Sequence, residues 1–405
     1  LAQATLDSSG NREPLVSDDR LGSLLVAGDI RLDNRRELIE ALGLGSTALG
    51  DQQLIACAYL RWGEEFASRL LGDFAFALWD QRARLLWLLR DPGGARSLFY
   101  APHAGRVAFA SHPRGLLVLP DVSCRLDERA VLDYLGEFPQ EEAATFFAAV
   151  RRLPPACMLR VSESEQQVIT FFDVTATPEL TLASDDAYAE ALREALDAAV
   201  ACRLPVNARS AVMLSGGLDS SMVTALAAER ARKSHSAVPL TISAIFPTTP
   251  ECDERPYQAA VVSAARTEHC EVQPDPLASG GNIVRLMQVF SDPSFMGPHW
   301  LAWSAAEAAS EHGASTMLSG IDGDRVVSHG GGRFADLAHQ RDWRGLTHEL
   351  SLVEDFGLAR KLRVGVTQGL LALAPGLGEW VDRIDPRRRQ AFAKQATLLR
   401  PDVLK

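Results

Sequence analysis

The chain has 405 residues, 47% of them apolar and 23% charged, and carries a net charge of −11. That length supports two or three buried cores, and the acidic balance excludes a broad nucleic-acid surface, which needs clustered Lys and Arg. The cysteines at 57, 124, 157, 202, 252 and 270 include no Cys-x-x-Cys pair, so a zinc site is not expected and a reducing, cytoplasmic setting is.

No apolar run approaches the roughly 20 residues of a membrane span. The sequence opens on Leu1 without a signal-like segment, as expected of a trimmed, processed or partial chain. Residues 1–175 read as mixed and strand-rich. Leu24–Val26, Leu85–Leu89 and Arg106–Phe109 are short apolar strands, and apolar spacing predicts helices over Asn34–Leu42 and Asp51–Trp62. Phe76 and Trp79 read as core. Pro154-Pro155 breaks the chain before a strand pair at Met158–Val161 and Gln167–Phe172.

A boundary is expected within Asp173–Asp186, rich in Thr, Ser, Pro and Asp, so that one domain covers 1–175 and a second 176–405. A helix over 186–202 follows. Strand and helix then alternate: strand Ala211–Leu214, helix from Ser220, strand Leu240–Phe246, helix around Tyr257–Ala265, strand near His269–Val272, helix near Trp300–His312, strand Thr316–Leu318. Such alternation predicts a parallel α/β sheet. After 333 the chain reads as helices broken at Gly357 and Pro375.

The chemistry concentrates in Ala211-Val-Met-Leu-Ser-Gly-Gly-Leu-Asp-Ser-Ser221, an apolar strand, a small-residue turn and a helix. Gly216 and Gly217 let the backbone approach a ligand closely. Ser215, Ser220 and Ser221 offer hydroxyls, and the helix start aims free N–H groups and a positive dipole end at the turn, a ready anion site. Asp219 beside bare phosphate makes sense with Mg2+ present. The loop lacks the Lys of a Walker motif and the spacing of a dinucleotide turn. It resembles the Ser-Gly-Gly-x-Asp-Ser pyrophosphate loop of the N-type ATP pyrophosphatases, which implies ATP cleaved between its α and β phosphates. A second constellation, Leu318-Ser-Gly-Ile-Asp-Gly-Asp-Arg325, also ends an apolar strand. Strand C-termini of a parallel sheet share one edge, so Asp324 is expected to meet Asp219 across a nucleotide and share the metal.

With these loops, three N-terminal segments resemble the asparagine synthetase family: Ala27-Gly-Asp-Ile-Arg-Leu-Asp-Asn-Arg-Arg36, Gly72-Asp-Phe-Ala-Phe-Ala-Leu-Trp-Asp80 and Arg90-Asp-Pro-Gly-Gly-Ala-Arg-Ser-Leu-Phe-Tyr100. Phe109-Ala-Ser111, Val150–Pro155, Cys252-Asp-Glu-Arg-Pro-Tyr257 and Glu268-His269 extend the match. The resemblance implies an N-terminal αββα domain of the N-terminal-nucleophile (Ntn) hydrolase class and a C-terminal parallel-sheet synthetase domain. It places Met213, Ser319 and Gly320 at the adenine end and Ser215, Gly216, Gly217, Leu218, Asp219, Ser220 and Ser221 around the phosphates.

Three departures bear on the expected activity. Family glutaminases begin with a catalytic Cys where this chain begins at Leu1, and their Asn-Gly-Glu segment reads Ala27-Gly28-Asp29 here, so a scaffold without glutaminase activity is expected. Ile321 stands where asparagine synthetases carry Glu and β-lactam synthetases Tyr, and isoleucine moves no proton. Arg325 replaces a further Glu. The run Ser319–Gly330 with the Trp343-Arg-Gly-Leu346 region is most similar to lasso peptide cyclases. That resemblance implies closure of a peptide macrolactam through an acyl-adenylate, with a leader peptidase and a precursor-recognition protein as partners. A small-molecule amide synthetase and a non-catalytic scaffold are the alternatives, and neither nucleic acid nor membrane is an expected partner. Asp253 and Glu254 either approach the site or cap the next helix. Asp292, His299 and His329 are weaker acceptor-side candidates, and Lys361, Lys394 and Lys405 sit in no motif.

Overall fold

The computed structural model describes residues 23–45, 49–103, 106–136, 141–205, 208–247, 249–273, 299–323, 332–352 and 365. The chain divides into two compact units, one of residues 1–203 with 275–300 and one of 204–274 with 301–405.

The first unit contains β1 (Leu24–Leu32), α1 (Arg35–Ala41), α2 (Asp51–Trp62), β2 (Gly72–Asp80), β3 (Leu85–Arg90), β4 (Phe99–His103), β5 (Arg106–Ala110), α3 (Pro113–Leu117), α4 (Glu128–Leu135), β6 (Arg151–Arg152), β7 (Cys157–Val161), β8 (Gln166–Thr170) and α5 (Asp185–Ala201). One antiparallel sheet runs β1-β2-β3-β7-β8 and a smaller one β5-β4-β6. Successive strand residues point to opposite faces. Phe74, Phe76, Leu78, Trp87 and Leu89 therefore meet Leu54 and Ile55 of α2 on one side. Ala75, Ala77, Leu88 and Leu159 meet Tyr100 of the second sheet, and Leu98 just before it, on the other. Phe99 and Ala101 turn to the far side of that sheet, against Leu116 of α3 and Val150. The layers are thus helix, sheet, sheet, helix, the αββα arrangement.

β1 extends to Leu32, beyond the expected Leu24–Val26, because it pairs with β2 without a break from Leu24 opposite Asp80 to Leu32 opposite Gly72; Gly28 sits opposite Phe76, where a Cβ would lie 2.5 Å from the Phe76 Cα. Phe76 is buried as expected. Trp79 is not core: it lies near the end of β2 and is half-buried. At the start of α2, Gln53 Oε1 accepts the Gly50 N–H at 2.9 Å. Asp51 accepts the Leu32 N–H at 2.9 Å and pairs with Arg35.

The second unit contains β9 (Arg209–Met213), α6 (Leu218–Lys233), β10 (Leu240–Ala244), α7 (Arg255–Ala265), β11 (His269–Val272), α8 (His299–Glu311) from its third residue on, β12 (Ala314–Ser319), α9 (Gly332–His339) and α10 (Trp343–Leu352). Its sheet has the order β11-β10-β9-β12 with every pairing parallel. Ala211, Leu240 and Ile242 are buried with Ala305, Ala308 and Ala309 of α8. Phe334, Leu337, Leu346 and Leu350 join α9 to α10. The breaks expected at Gly357 and Pro375 lie outside the described residues.

The chain leaves β9 for β10 on one side and later returns to place β12 on the other. Such a reversal opens a crevice at the strand C-termini, the usual ligand edge of an open parallel sheet.

Candidate functional site

The Ser215–Ser221 loop leaves β9 at this reversal. Ser243 Oγ donates to the Leu214 carbonyl at 2.7 Å and the Leu214 N–H donates to the Ile242 carbonyl at 2.8 Å, which extends the sheet to the turn. Gly216 adopts a positive φ of 96°, and a Cβ there would lie 2.9 Å from the Tyr257 Cβ, so glycine is required on both counts. The Gly217 N–H donates to Ser215 Oγ at 3.2 Å, and the Ser215 N–H donates to Ser220 Oγ at 3.2 Å. The Ser215 and Ser220 hydroxyls are 3.0 Å apart. Ser220 is buried and its hydroxyl donates to the Gly217 carbonyl at 3.2 Å. The Ser221 hydroxyl donates to the same carbonyl at 2.7 Å. These serines brace the turn from within.

Gly217 is the N-cap of α6, with extended φ −70° and ψ 167° and no side chain to satisfy the helix start. The N–H groups of the first turn consequently lack intrahelical partners and face the positive end of the helix dipole. Asp219 lies in that first turn.

The second motif arrives from β12. Ser319 sits beside Met213 in the parallel register, and Met213 sits beside Ile242. Past Ser319 the backbone presses on the first motif. A Cβ on Gly320 would lie 2.5 Å from the Ser220 nitrogen and 2.9 Å from the Asp219 Cβ. A Cβ on Gly323 would overlap the Asp219 carboxyl group itself. The turn is closed by the Gly323 N–H donating to the Gly320 carbonyl at 3.2 Å, with Asp322 at φ 67°. Met213, Ser215 through Ser221, Ser319 and Gly320 therefore gather at one sheet edge. Asp324, the residue after Gly323, lies outside the described residues, as do Arg325, Asp292, His329, Lys361, Lys394 and Lys405. His299 begins α8.

Other candidates take structural places. Asp253 accepts the Arg255 backbone N–H at 3.2 Å and its guanidinium Nε and Nη2 at 2.7 Å each, which ties it to the first residue of α7, while Glu254 is the N-cap and makes no side-chain cap hydrogen bond. The Arg255 hydrogen bond holds the Asp253 carboxyl below its ordinary range. Glu268 pairs with Arg209, and His269 Nδ1 lies 3.0 Å from Thr241 Oγ1, both at the strand starts and away from the loop. Gln258, which the sequence reading passed over, is buried beneath the loop, its Nε2 donating to the Ser215 carbonyl at 3.2 Å. Within an ordinary amphipathic helix, nothing in the sequence marks it out.

In the first unit, Ala27 pairs with Ala77 inside the sheet and Asp29 is exposed, its carboxylate 3.3 Å from Arg96. Arg90 is buried and donates to the carbonyls of Arg96, Leu153 and Gly94 at 2.7, 2.9 and 2.9 Å. Burial lowers the Arg90 pKa from its ordinary value. Asp91, 1% exposed, accepts the N–H groups of Ala95 and Arg96 at 2.9 and 3.0 Å. The Arg90–Tyr100 segment is thus a loop built around two buried charges. Among the described residues, no three His, Cys, Asp or Glu side chains gather as a metal cluster.

The asparagine synthase family model matches residues 191–400, more than half of the chain. The chain belongs to the asparagine synthase family. A glutamine amidotransferase domain model matches residues 2–172, so both halves of the family architecture are present. The glutamine-hydrolyzing asparagine synthetase 3 of Bacillus subtilis (strain 168) is 28% identical over 238 residues, 58% of this chain and 38% of that protein. The amidase chry2 of Gibberella zeae is 32% identical over 180 residues, 44% of this chain and 26% of that protein. The chain spans between about a quarter and two fifths of the length of these curated relatives. A solved glutamine phosphoribosylpyrophosphate amidotransferase from B. subtilis overlays 73% of this chain and 70% of its own at 14% identity and a TM-score of 0.28, too low to bear on the fold. Among the described residues, no helix of this family member is long and apolar enough to cross a membrane.

Proposed function

We propose that this chain joins a carboxylate to an amine using ATP, with AMP and pyrophosphate as products. The observation that carries the reading is the contact between Asp219 and the Gly320–Gly323 turn at the C-terminal edge of a parallel sheet. It sets a carboxylate beside an anion-binding helix start, and Asp324 follows directly in sequence. A carboxylate is a poor electrophile. Its oxygen attacks the α-phosphorus of ATP, the bond from that phosphorus to the bridging oxygen breaks, and pyrophosphate leaves with the bond electrons. The amine nitrogen then attacks the acyl carbon, AMP departs, and the nitrogen loses one proton.

The first-turn N–H groups of α6 hold the phosphates in line and offset their charge. Met213 and Ser319, adjacent in the sheet, border the adenine. Hard carboxylate oxygens at Asp219 and Asp324, with phosphate oxygens, fit Mg2+, which takes one or two protein carboxylates and keeps the rest of its shell for substrate and water. When bound, magnesium would neutralise charge on the departing pyrophosphate.

Within this class we favour peptide macrolactam closure, with an Asp or Glu side chain as donor and the peptide's own N-terminal amine as acceptor. The support is Ile321, whose exposed aliphatic side chain stands between the two glycines that touch Asp219. It moves no proton and suits an apolar substrate face. A leader peptidase and a precursor-recognition protein would supply that substrate. The names of the relatives favour a second reading, synthesis of a small-molecule amide. A non-catalytic scaffold would bind no Mg·ATP in calorimetry. The assay is chromatographic separation of adenine nucleotides after incubation with Mg·ATP and candidate carboxylates. AMP with pyrophosphate is expected, and ADP with phosphate sinks the proposal. Asp219→Asn should abolish turnover while leaving the thermal midpoint in place, and retained turnover removes the metal role.

A further inference from the structure

We propose that Gln258 is a positioning residue for the phosphate-binding loop, an assignment that rests on the nucleotide reading of that loop. Gln258 lies in α7, is 2% exposed, and its side chain reaches the backbone where the turn leaves the sheet. Its Nε2 donates to the Ser215 carbonyl at 3.2 Å and to the Ala244 carbonyl at 3.4 Å. Ser215 follows β9 and Ala244 closes β10, so one amide ties two neighbouring strand ends together. The opposite amide assignment would set an oxygen against two carbonyl oxygens, so the donor role is fixed by its partners.

The peptide between Ser215 and Gly216 is planar and trans, which makes its C=O and N–H antiparallel. A carbonyl held by Gln258 therefore turns the Gly216 N–H away from α7, which leaves it free to meet a ligand phosphate. The same contact removes from the phosphate site a carbonyl oxygen that would repel it. Gly216 has a φ of 96°, which belongs to a flexible residue, and α7 presses on it through the Gln258 nitrogen, 3.2 Å from where a Cβ would stand. Among the described residues, Oε1 of Gln258 has no hydrogen-bond partner although buried. A buried acceptor left unpaired is costly, and such groups are kept where their other half has a task. That task here is the hold on the Ser215 carbonyl.

The test is Gln258→Met, of similar volume and without a donor, in the full chain; Gln258→Asn is the second variant should Met fold poorly. Two readouts are taken: amide hydrogen exchange across residues 214–217, and Mg·ATP affinity by calorimetry together with KM and kcat for pyrophosphate release. The expected result is faster exchange confined to the turn, with Kd and KM for Mg·ATP raised about tenfold and kcat at saturating ATP changed by less than about twofold. Parent-like exchange, or faster exchange with parent-like Mg·ATP affinity, overturns the assignment while the nucleotide reading stands. Absence of Mg·ATP binding by the parent protein overturns the nucleotide reading and the assignment with it.

Discussion

Gly323 offers the sharpest perturbation of the site. A Cβ at this position falls inside the Asp219 carboxyl group, with the Asp219 Cβ 2.8 Å away. Ordinary carbon contacts are about 3.5–4 Å, so Gly323→Ala must displace either the 320–323 turn or the carboxylate by about 1 Å. Overpacking of this kind costs about 1–3 kcal/mol of stability. The chemical cost should be larger, because a shift of that size at a reacting constellation lowers turnover about a hundredfold. Denaturant titration measures the first and pyrophosphate release the second. The Asp219→Ala, Gly323→Ala double variant separates steric from other causes: removing the carboxyl relieves the overlaps at 2.3 and 2.4 Å and leaves only the closer-than-normal contact with the retained Cβ at 2.8 Å. The stability loss at Gly323 should then shrink by about 1–2 kcal/mol relative to additivity. Additive losses, or a Gly323→Ala protein with parental stability and turnover, would refute the contact between the two motifs.

Three further outcomes follow from the two units. Arg90→Lys keeps the charge but not the planar fork that reaches three carbonyls; it should cost about 3 kcal/mol in denaturant titration and loosen the 91–97 segment to proteolysis. Asp253→Ala should lower the thermal midpoint slightly and leave ATP turnover intact, since its partners are the N–H and guanidinium of Arg255. The Cys202 thiol is pushed up by burial and by the Asp33 carboxylate. A raised pKa means less thiolate at a given pH, so iodoacetamide labelling of Cys202 at about pH 8 should quicken in Asp33→Asn, read by peptide mass spectrometry.

The parallel sheet and its loop were legible because local pattern and chemistry agree there. Ala211–Leu214 is a short apolar run, the glycines mark a turn, and Ser220-Ser221 lie in the helix that follows. α2 was legible at both ends, Asp51 and Trp62, because its apolar spacing begins and stops at glycines. β2 was missed as a strand: both of its faces are buried, so Phe74-Ala-Phe-Ala-Leu78 shows no polar alternation. β4 was missed because Pro102 lies within it, a residue that suits only strand edges and ends. That Asp253 is taken up by the Arg255 guanidinium depends on how that side chain folds back, which spacing does not convey. Gln258 and Arg90 depend on carbonyls 43 and 63 residues away, and a one-dimensional pattern holds no record of such pairings.

Arg203 ends α5's connection to the first unit with two ion pairs, to Asp33 and Asp73 at 3.2 Å each, and Arg31 meets the same two carboxylates at 3.2 and 2.7 Å. Burial opposes the Arg203 charge, yet Asp33 and Asp73 together raise its pKa. The side chain of Asp33 is only 6% exposed. Anyone grafting this N-terminal half onto another member of the family should therefore splice after residue 203: a seam upstream of α5 would discard one of two arginines and strand a buried aspartate beside the other.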